Sequence, residues 1–319
     1  MKFPVFDLHC DTAFRMLTTT FDGAYPLTKN ELHIDLERAG RFPGYAQCFA
    51  CFTSDENTLR IPVSPETLFE REKAVIIDAL NKNCHQIRQA FNDYDILRNL
   101  ENGVMSAILT IEGPAGFGYD PAVLEGLYDL GFRITTLGWN ESSPLAGSHI
   151  TGEGLSELGK EYVHQAQHVG MLIDISHISD NAFWDIMSIT SGPIIATHSN
   201  SRSVWNVSRN ITDEMFLAVC RTGGVVGINL YCDFLGVDPD VDTVCDHILH
   251  FLQLDPDGKH IALGGDLDGC DALPKGFNGV QDYPLLAERL LLRGLDERTV
   301  YKRVWNKALE VMKNAVSKH

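Results

Sequence analysis

Short apolar runs rich in β-branched residues alternate along this chain with longer segments whose apolar positions recur at helical spacing. The runs lie at Val5–His9, Tyr45–Phe52, Val104–Ile111, Phe132–Leu137, Met171–Ile175, Pro193–Thr197, Gly224–Asn229 and His260–Gly264. In Glu66–Phe91 the residues Leu68, Phe69, Ala74, Ile77, Leu80 and Ile87 follow a helical period and predict one long helix. Further helices are predicted at Glu157–His168, Asn181–Ile189, Asp213–Cys220 and Val244–Leu254, with Ser156, Ser179 and Thr212 among the capping residues, and a closing helix at Asp296–Lys313. Strands separated by helices form a parallel sheet, and eight of them close a barrel. The expectation is an α/β fold, a (β/α)8 TIM-type barrel forming one domain over residues 1–319. The segment Thr12–Pro43 is too long for an ordinary βα loop and is expected to cross the barrel mouth; Trp139–Gly154 is a second candidate lid.

Composition narrows the function classes. Hydrophobic residues make up 44% and charged residues 22%, the mixture of a globular protein with a sizeable core. A net charge of −17 repels phosphates, which argues against nucleic acid and anionic membranes as partners and leaves small substrates open. No window approaches the ~20 apolar residues of a membrane span, and neither a secretory signal nor an anchor tail is recognisable, so a cytoplasmic location is expected. A homodimer is left open. The eight cysteines are expected to stay reduced. Cys48 and Cys51 fall on opposite faces of their run by alternation, which speaks against a joint redox or metal role.

In a β/α barrel the site forms where the strands end, so a polar residue immediately after an apolar run has positional meaning. The first run ends in Asp7-Leu8-His9-Cys10-Asp11, the third in Glu112-Gly113, the fifth in Asp174-Ile175-Ser176-His177, the sixth in Thr197-His198-Ser199 and the eighth in Gly264-Gly265-Asp266-Leu267-Asp268-Gly269. His9 and Asp11, two apart, share a face and can chelate one ion together. His177 and His198 come from neighbouring strands and can converge on another, as zinc prefers. Glu112 lies between the two groups and has an oxygen for each. One such residue has bland explanations, but several ionisable groups in one small buried volume are costly unless a cation compensates them. His85, His164, His168, His247, His250 and the terminal His319 read as helix or surface residues outside the site.

Together with Arg209-Asn210-Ile211-Thr212-Asp213, His33-x-Asp35-x-x-Arg38-x-Gly40 and Asp282-Tyr283-Pro284, these motifs resemble the membrane (renal) dipeptidase family of the amidohydrolase superfamily, in the right order over nearly the whole chain. The resemblance implies a dipeptidase with two Zn2+ per chain, acting on dipeptides, including those with a C-terminal D-residue, through a metal-bridging hydroxide. By the match, His9 and Asp11 would hold one zinc, His177 and His198 the other, and Glu112 would bridge. Arg209 would bind the substrate's C-terminal carboxylate, and Asp266 would take the proton of the attacking water and return it to the leaving amine, with Asp268 as a competitor for that role.

One departure stands out. Where relatives carry a carbonyl-polarising His after the fourth strand, this chain has Trp139, here expected to shape the substrate pocket. Zinc itself is expected to carry most of the stabilisation of the oxyanion, with the indole N–H of Trp139 and His149 as the other candidates. The competing readings are another amidohydrolase-type activity on a small amide or lactone, and a catalytically silent metal-binding or ligand-binding protein.

Overall fold

The computed structural model describes residues 4–20, 25–55, 62–300 and 307–316. Its strands are β1 (Val5–Cys10), β2 (Tyr45–Phe52), β3 (Ile87–Gln89), β4 (Met105–Glu112), β5 (Phe132–Thr135), β6 (Leu172–Asp174), β7 (Ile194–Ile195), β8 (Val226–Ile228) and β9 (Ile261–Leu263). All pairings between these strands are parallel, in the order β7-β6-β5-β4-β2-β1-β9-β8. A parallel bridge between Ala196 and Val226 joins the two ends of that order, with Gly227 N donating to Ala196 O at 2.8 Å, so the eight strands close on themselves as a TIM-type barrel. Each matches one expected run to within three residues at either end.

The helices are α1 (Thr12–Thr20), α2 (Leu36–Ala39), α3 (Pro65–Lys82), α4 (Asp93–Glu101), α5 (Leu124–Asp129), α6 (Glu157–Val169), α7 (Asp180–Ile189), α8 (Asp213–Arg221), α9 (Val241–Leu254), α10 (Tyr283–Leu292) and α11 (Lys307–Val316). Ser156, Ser179 and Thr212 cap α6, α7 and α8 by accepting from the backbone N–H three residues on. The long helix expected over Glu66–Phe91 is corrected: α3 stops at Lys82, where the Asn83 amide donates back to Ala79 O, and Ile87–Gln89 form β3 against Met105–Ala107. Ile87 is fully buried there, so its helical spacing from Leu80 reflects a shared core and not a continuous helix.

The excursion after β1 contains α1 and α2, with residues 21–24 outside the described residues. The loop after β5 is no free flap. Bridges Ala146↔Leu155 and Ser148↔Ile178 fasten it, and His149 N donates to His177 O at 2.8 Å. Of the closing helix expected at Asp296–Lys313, residues 301–306 lie outside the described residues, and α11 covers its last part and runs on to Val316. Among the described residues no helix is long and apolar enough to cross a membrane.

Two apolar layers result. Phe6, Leu8, Ala46, Cys48, Ile108, Ile134, Leu172, Ile195, Val225 and Ala262, drawn from all eight barrel strands or their edges, fill the interior, and Ala308, Val311 and Met312 of α11 plug it from below. The alternate residues, such as Phe49, Cys51, Leu109, Ile173 and Ile228, face the surrounding helices. Cys48 and Cys51 thus fall in different layers, as alternation requires; burial pushes both thiols well up, which leaves them unreactive.

Closure depends on two glycines. A Cβ on Gly227 or Gly264 would stand 2.0 or 1.7 Å from the carbonyl oxygen of Thr197, a backbone atom that cannot yield cheaply. Gly264→Ala is expected to lower the unfolding free energy by about 3 kcal/mol, the upper range for overpacking. Gly126→Ala in α5, where a Cβ meets nothing within 4 Å, is the control and leaves stability unchanged or raised. Urea midpoints of the two variants check the contrast; equal midpoints would contradict it.

Candidate metal centre

The strand ends deliver the expected residues to one place. β1 slips its register against β2 between Asp7 and Cys10, so Leu8 packs into the barrel interior while the adjacent His9 reaches the mouth. His9 Nε2 lies 3.4 Å from Asp11 Oδ2, 3.3 Å from Glu112 Oε2 and 4.0 Å from Asp266 Oδ1. The other oxygen, Glu112 Oε1, lies 2.9 Å from His177 Nε2 and 3.7 Å from His198 Nε2. The carboxylate of Glu112 therefore turns one oxygen to each of two groups, His9 with Asp11 and His177 with His198.

Hydrogen bonds behind the imidazoles set which nitrogen faces the site. Asp174 accepts from the backbone N–H of Ser176 and Thr197, each at 2.9 Å, and from the Thr197 hydroxyl. With its own hydrogen spent on Asp174, Thr197 Oγ1 accepts from His198 Nδ1 at 2.7 Å. His177 Nδ1 donates to Asn140 Oδ1 at 2.9 Å. Both rings thus carry hydrogen on Nδ1 and present a bare Nε2. These two lone pairs face each other across 2.9 Å, an arrangement that a cation relieves. On the far side Asp7 Oδ1 accepts from His9 N and Gly265 N, both at 3.0 Å, while Tyr283 donates its hydroxyl to Asp7 Oδ2.

The electrostatics point the same way. Burial lowers His177 and His198 well below the usual imidazole range, with Arg209 and His9 adding to it, so both rings are neutral, the form in which an imidazole can bind a cation. Burial also works against a charge on His9, but the carboxylates of Glu112 and Asp11 outweigh it and raise this ring well above its ordinary value. Asp11 is pushed up to about 6 by burial and by Glu112. Asp266 is pushed up to about 7, by burial first and Asp11 second. The cluster draws positive charge, yet His9 Nε2 and Asp11 Oδ1 are buried with no hydrogen-bond partner. Gly269 completes the cradle, since a Cβ there would come within 2.2 Å of Asp11 Oδ2 and 2.3 Å of Asp266 Oδ1. Ligand atoms of His9, Glu112 and His198, and of His9, Asp11 and Asp266, come close enough together to hold an ion, with His177 beside the first group; this imidazole and carboxylate set, with His9 Nε2 and Asp11 Oδ1 unpartnered, fits a divalent ion of the zinc type.

A cavity of about 280 Å³ opens onto this cluster, walled by Phe14, Arg15, Phe52, Trp139, Asn140, Tyr231, Phe234, Asp268, Gly269 and Asp271 together with Asp11, Glu112, His177 and Asp266. Trp139 packs edge-on against Phe52 at 4.9 Å and is half-buried. Arg209 sits behind His198, 4% exposed, and donates to Ser199 Oγ at 2.9 Å and His198 O at 3.0 Å, while its Nε has no partner. Burial lowers this guanidinium to about 10, against the pull of Asp266, so it stays charged at neutral pH. Of the two loop aspartates, Asp266 accepts from Asn229 Nδ2 at 3.1 Å through Oδ2 and faces the cluster with Oδ1. Both oxygens of Asp268 are taken, by the Thr12 hydroxyl and the His33 N–H, each at 2.6 Å.

His149, expected as an oxyanion candidate, is engaged elsewhere: its ring lies 3.0 Å from Ser208 Oγ and 3.1 Å from Asn140 Oδ1. Burial and the charge of Arg209 lower it to about 4. His247 is fully buried on α9, where it bonds Ser201 N and Leu235 O, and His250 meets Asp213; neither touches the cluster. His85, His164 and His168 are exposed, and His319 lies outside the described residues. Sequence reasoning passed over Asn140, Arg15 and the orienting role of Asp174. Asn140 and Asp174 could have been found by the strand-end rule that singled out the ligands. Arg15 could have been found as the residue one helical turn beyond Asp11, whose carbonyl accepts from Arg15 N at 3.0 Å.

The family model for membrane dipeptidase, peptidase family M19, matches residues 1–319. An uncharacterized dipeptidase of Schizosaccharomyces pombe is 34% identical over 209 residues, covering 63% of this chain and 50% of that protein, so the chain spans about half of that relative's length. A protein from the pqqA 5′ region of Klebsiella pneumoniae is 31% identical over 268 residues, 80% of this chain and 98% of that one. The fold is similar to that of a metallo peptidase from Rhodobacter sphaeroides liganded with a phosphinate mimic of L-Ala-D-Ala, with a TM-score of 0.89 at 22% identity over 99% of this chain and 100% of that one. The barrel is therefore the one these metallopeptidases use, and with the family model matched along its whole length this chain belongs to the membrane dipeptidase family.

Proposed function

We propose that this chain is a binuclear zinc dipeptidase that hydrolyses the single peptide bond of dipeptides. The observation that carries the reading is Glu112, whose two oxygens are divided between His9 with Asp11 and His177 with His198. His9 and Asp11 would hold one ion, His177 and His198 the other, with Glu112 shared. Zinc in such a site supplies Lewis acidity and brings water to ionise near pH ~7. The remaining roles belong to the chain's own side chains.

Asp266 is the proton carrier. Asn229 fixes its Oδ2, which leaves Oδ1 over the cluster to accept the proton of the attacking water and deliver it to the leaving amine. Asp268 lacks a free oxygen for that work. Arg209 anchors the free C-terminal carboxylate. Two of its five N–H groups are committed to Ser199 and His198, and the partnerless Nε leaves donor capacity in a rigid fork. Trp139 and Phe52 form an apolar wall that excludes water from the reacting groups.

Elemental analysis of zinc-reconstituted protein is expected to give two ions per chain, and chelation to abolish dipeptide hydrolysis until zinc is restored. His177→Ala should lose one ion and most activity, because His198 alone cannot hold it. L-Ala-D-Ala belongs in the first substrate panel, beside all-L dipeptides. Two bound ions with no dipeptide cleaved would return the protein to the silent metal-binding reading.

Asp266 must be ionised to accept a proton, so kcat/KM rises with pH through its pKa and falls below it. Without cations that value is about 7; a divalent ion beside the carboxylate favours its charged form and moves the acid limb lower. Asp266→Asn should keep both ions and lose ~10²-fold or more in kcat. The same loss in Asp268→Asn, with Asp266→Asn unaffected, would reverse the assignment.

Substrate length provides a further check. A dipeptide should be cut far faster than its C-terminal amide or a tripeptide, and Arg209→Lys should raise KM, since a point charge does not replace the planar fork. Equal rates on a dipeptide and its amide would remove Arg209 from carboxylate binding.

A further inference from the structure

A peptide carbonyl that turns tetrahedral needs a hydrogen-bond donor held in place before the reaction begins. Asn140 is on the cavity wall with Trp139, Glu112 and His177. Two imidazoles fix its carboxamide: Oδ1 accepts from His177 Nδ1 at 2.9 Å and from His149 Nε2 at 3.1 Å. An amide oxygen can only accept, so with Oδ1 on this side His149 carries its hydrogen on Nε2, and its bare Nδ1 accepts from the Ser208 hydroxyl at 3.0 Å. The opposite amide orientation would require His177 to carry its hydrogen on Nε2, among Glu112 Oε1 and His198 Nε2, and would remove it as a ligand. With Oδ1 on the imidazoles, the planar amide turns Nδ2 away from them. Among the described residues no acceptor is bonded to it.

We infer that Asn140 is a catalytic residue that donates from Nδ2 to the scissile carbonyl oxygen as the oxyanion forms. The inference rests on the dipeptidase reading above. It assigns the work for which Trp139, at the place of the family's imidazole, and His149, already bonded to Asn140 and Ser208, are poorly suited. No covalent bond is made by Asn140. The hydrogen bond strengthens as negative charge builds on the oxygen, so its contribution is to kcat more than to substrate binding. His149 then has a reason to stand half-buried beside the site: it holds the carboxamide that does the donating.

Two variants separate donation from mere positioning of His177. Asn140→Asp keeps an oxygen for His177 Nδ1 but removes the donor, and Asn140→Ala removes both without adding charge. Each is measured for metal content, kcat and KM on a dipeptide that the wild type cleaves, and inhibition by a phosphinate dipeptide mimic. The expected result is a fall of ~10² to 10³ in kcat in both variants with two ions retained, little change in KM, and a parallel loss of phosphinate affinity. Retained kcat in either variant would overturn the inference, and so would a loss that tracks missing metal, which would leave Asn140 as a positioning residue. A wild-type protein that cleaves no dipeptide overturns the dipeptidase reading and this inference with it; a cleaving wild type with unaffected variants removes only the role of Asn140.

Discussion

Charge compensation in a buried volume governs this structure. Asp11, Glu112 and Asp266 bring three carboxylates to the barrel mouth beside His9, His177 and His198, and all but Asp266 are buried. Isolated charges there would cost several kcal/mol each, so the arrangement is stable only with compensating positive charge. The side chains offer one incomplete answer in a raised His9, drawn up by Glu112 and Asp11. Its Nε2 stands 3.3 Å from Glu112 Oε2 and 3.4 Å from Asp11 Oδ2 without a well-aligned hydrogen bond to either. A divalent ion satisfies the same field with ligand bonds.

A second layer of residues exists to aim the first. Asp174 acts through Thr197 on His198, Asn140 acts directly on His177, and Asp7 ties the backbone of His9 to that of Gly265. The backbone contributes strain to the same end. His177, Asp266 and Asp268 have φ of 72°, 53° and 70°, conformations that side-chain-bearing residues adopt at a cost of order 1 kcal/mol or more. Below them, Gly227 and Gly264 let β8 and β9 approach Thr197 closely enough to close the ring, so the residue that orients His198 is also the one against which the barrel seals.

Much of this was legible in the chain because two periods and one positional rule suffice for it. Strand alternation separated Cys48 from Cys51 and put His9 with Asp11, and the strand-end rule collected Glu112, His177, His198 and Asp266 from distant segments. What was hidden depends on local geometry. The end of α3 at Lys82 turns on one Asn83 side chain, and Ile87 keeps helical spacing while sitting in a strand. The pairing of His9 with Asp11 assumed an unbroken alternation, whereas Leu8 already fills the inward position and a register slip lets its neighbour His9 turn to the barrel mouth as well. Asn140 stayed unnoticed beside the conspicuous Trp139, because an amide's value lies in which of its two ends is already bonded, and spacing does not encode that.

The two aspartates of the β9 loop make the same point about function. Asp266 and Asp268 are two residues apart, both have positive φ, and both are pushed up by burial. Their surroundings divide them. Asp268 takes the Thr12 hydroxyl at the start of α1 and the His33 N–H ahead of α2, and its own N–H bonds His33 Nδ1 at 2.9 Å, so it fastens the excursion after β1 to the rim of the barrel. Asp266 has one oxygen held by Asn229 and the other turned toward His9. A proton carrier needs an oxygen with nothing bound to it in the resting state, and a fastener needs both occupied. Identical side chains in nearly identical backbone conformations are therefore suited to different work by the number of donors that reach them, and the excursion that supplies those donors to Asp268 also carries Phe14 and Arg15 onto the cavity wall.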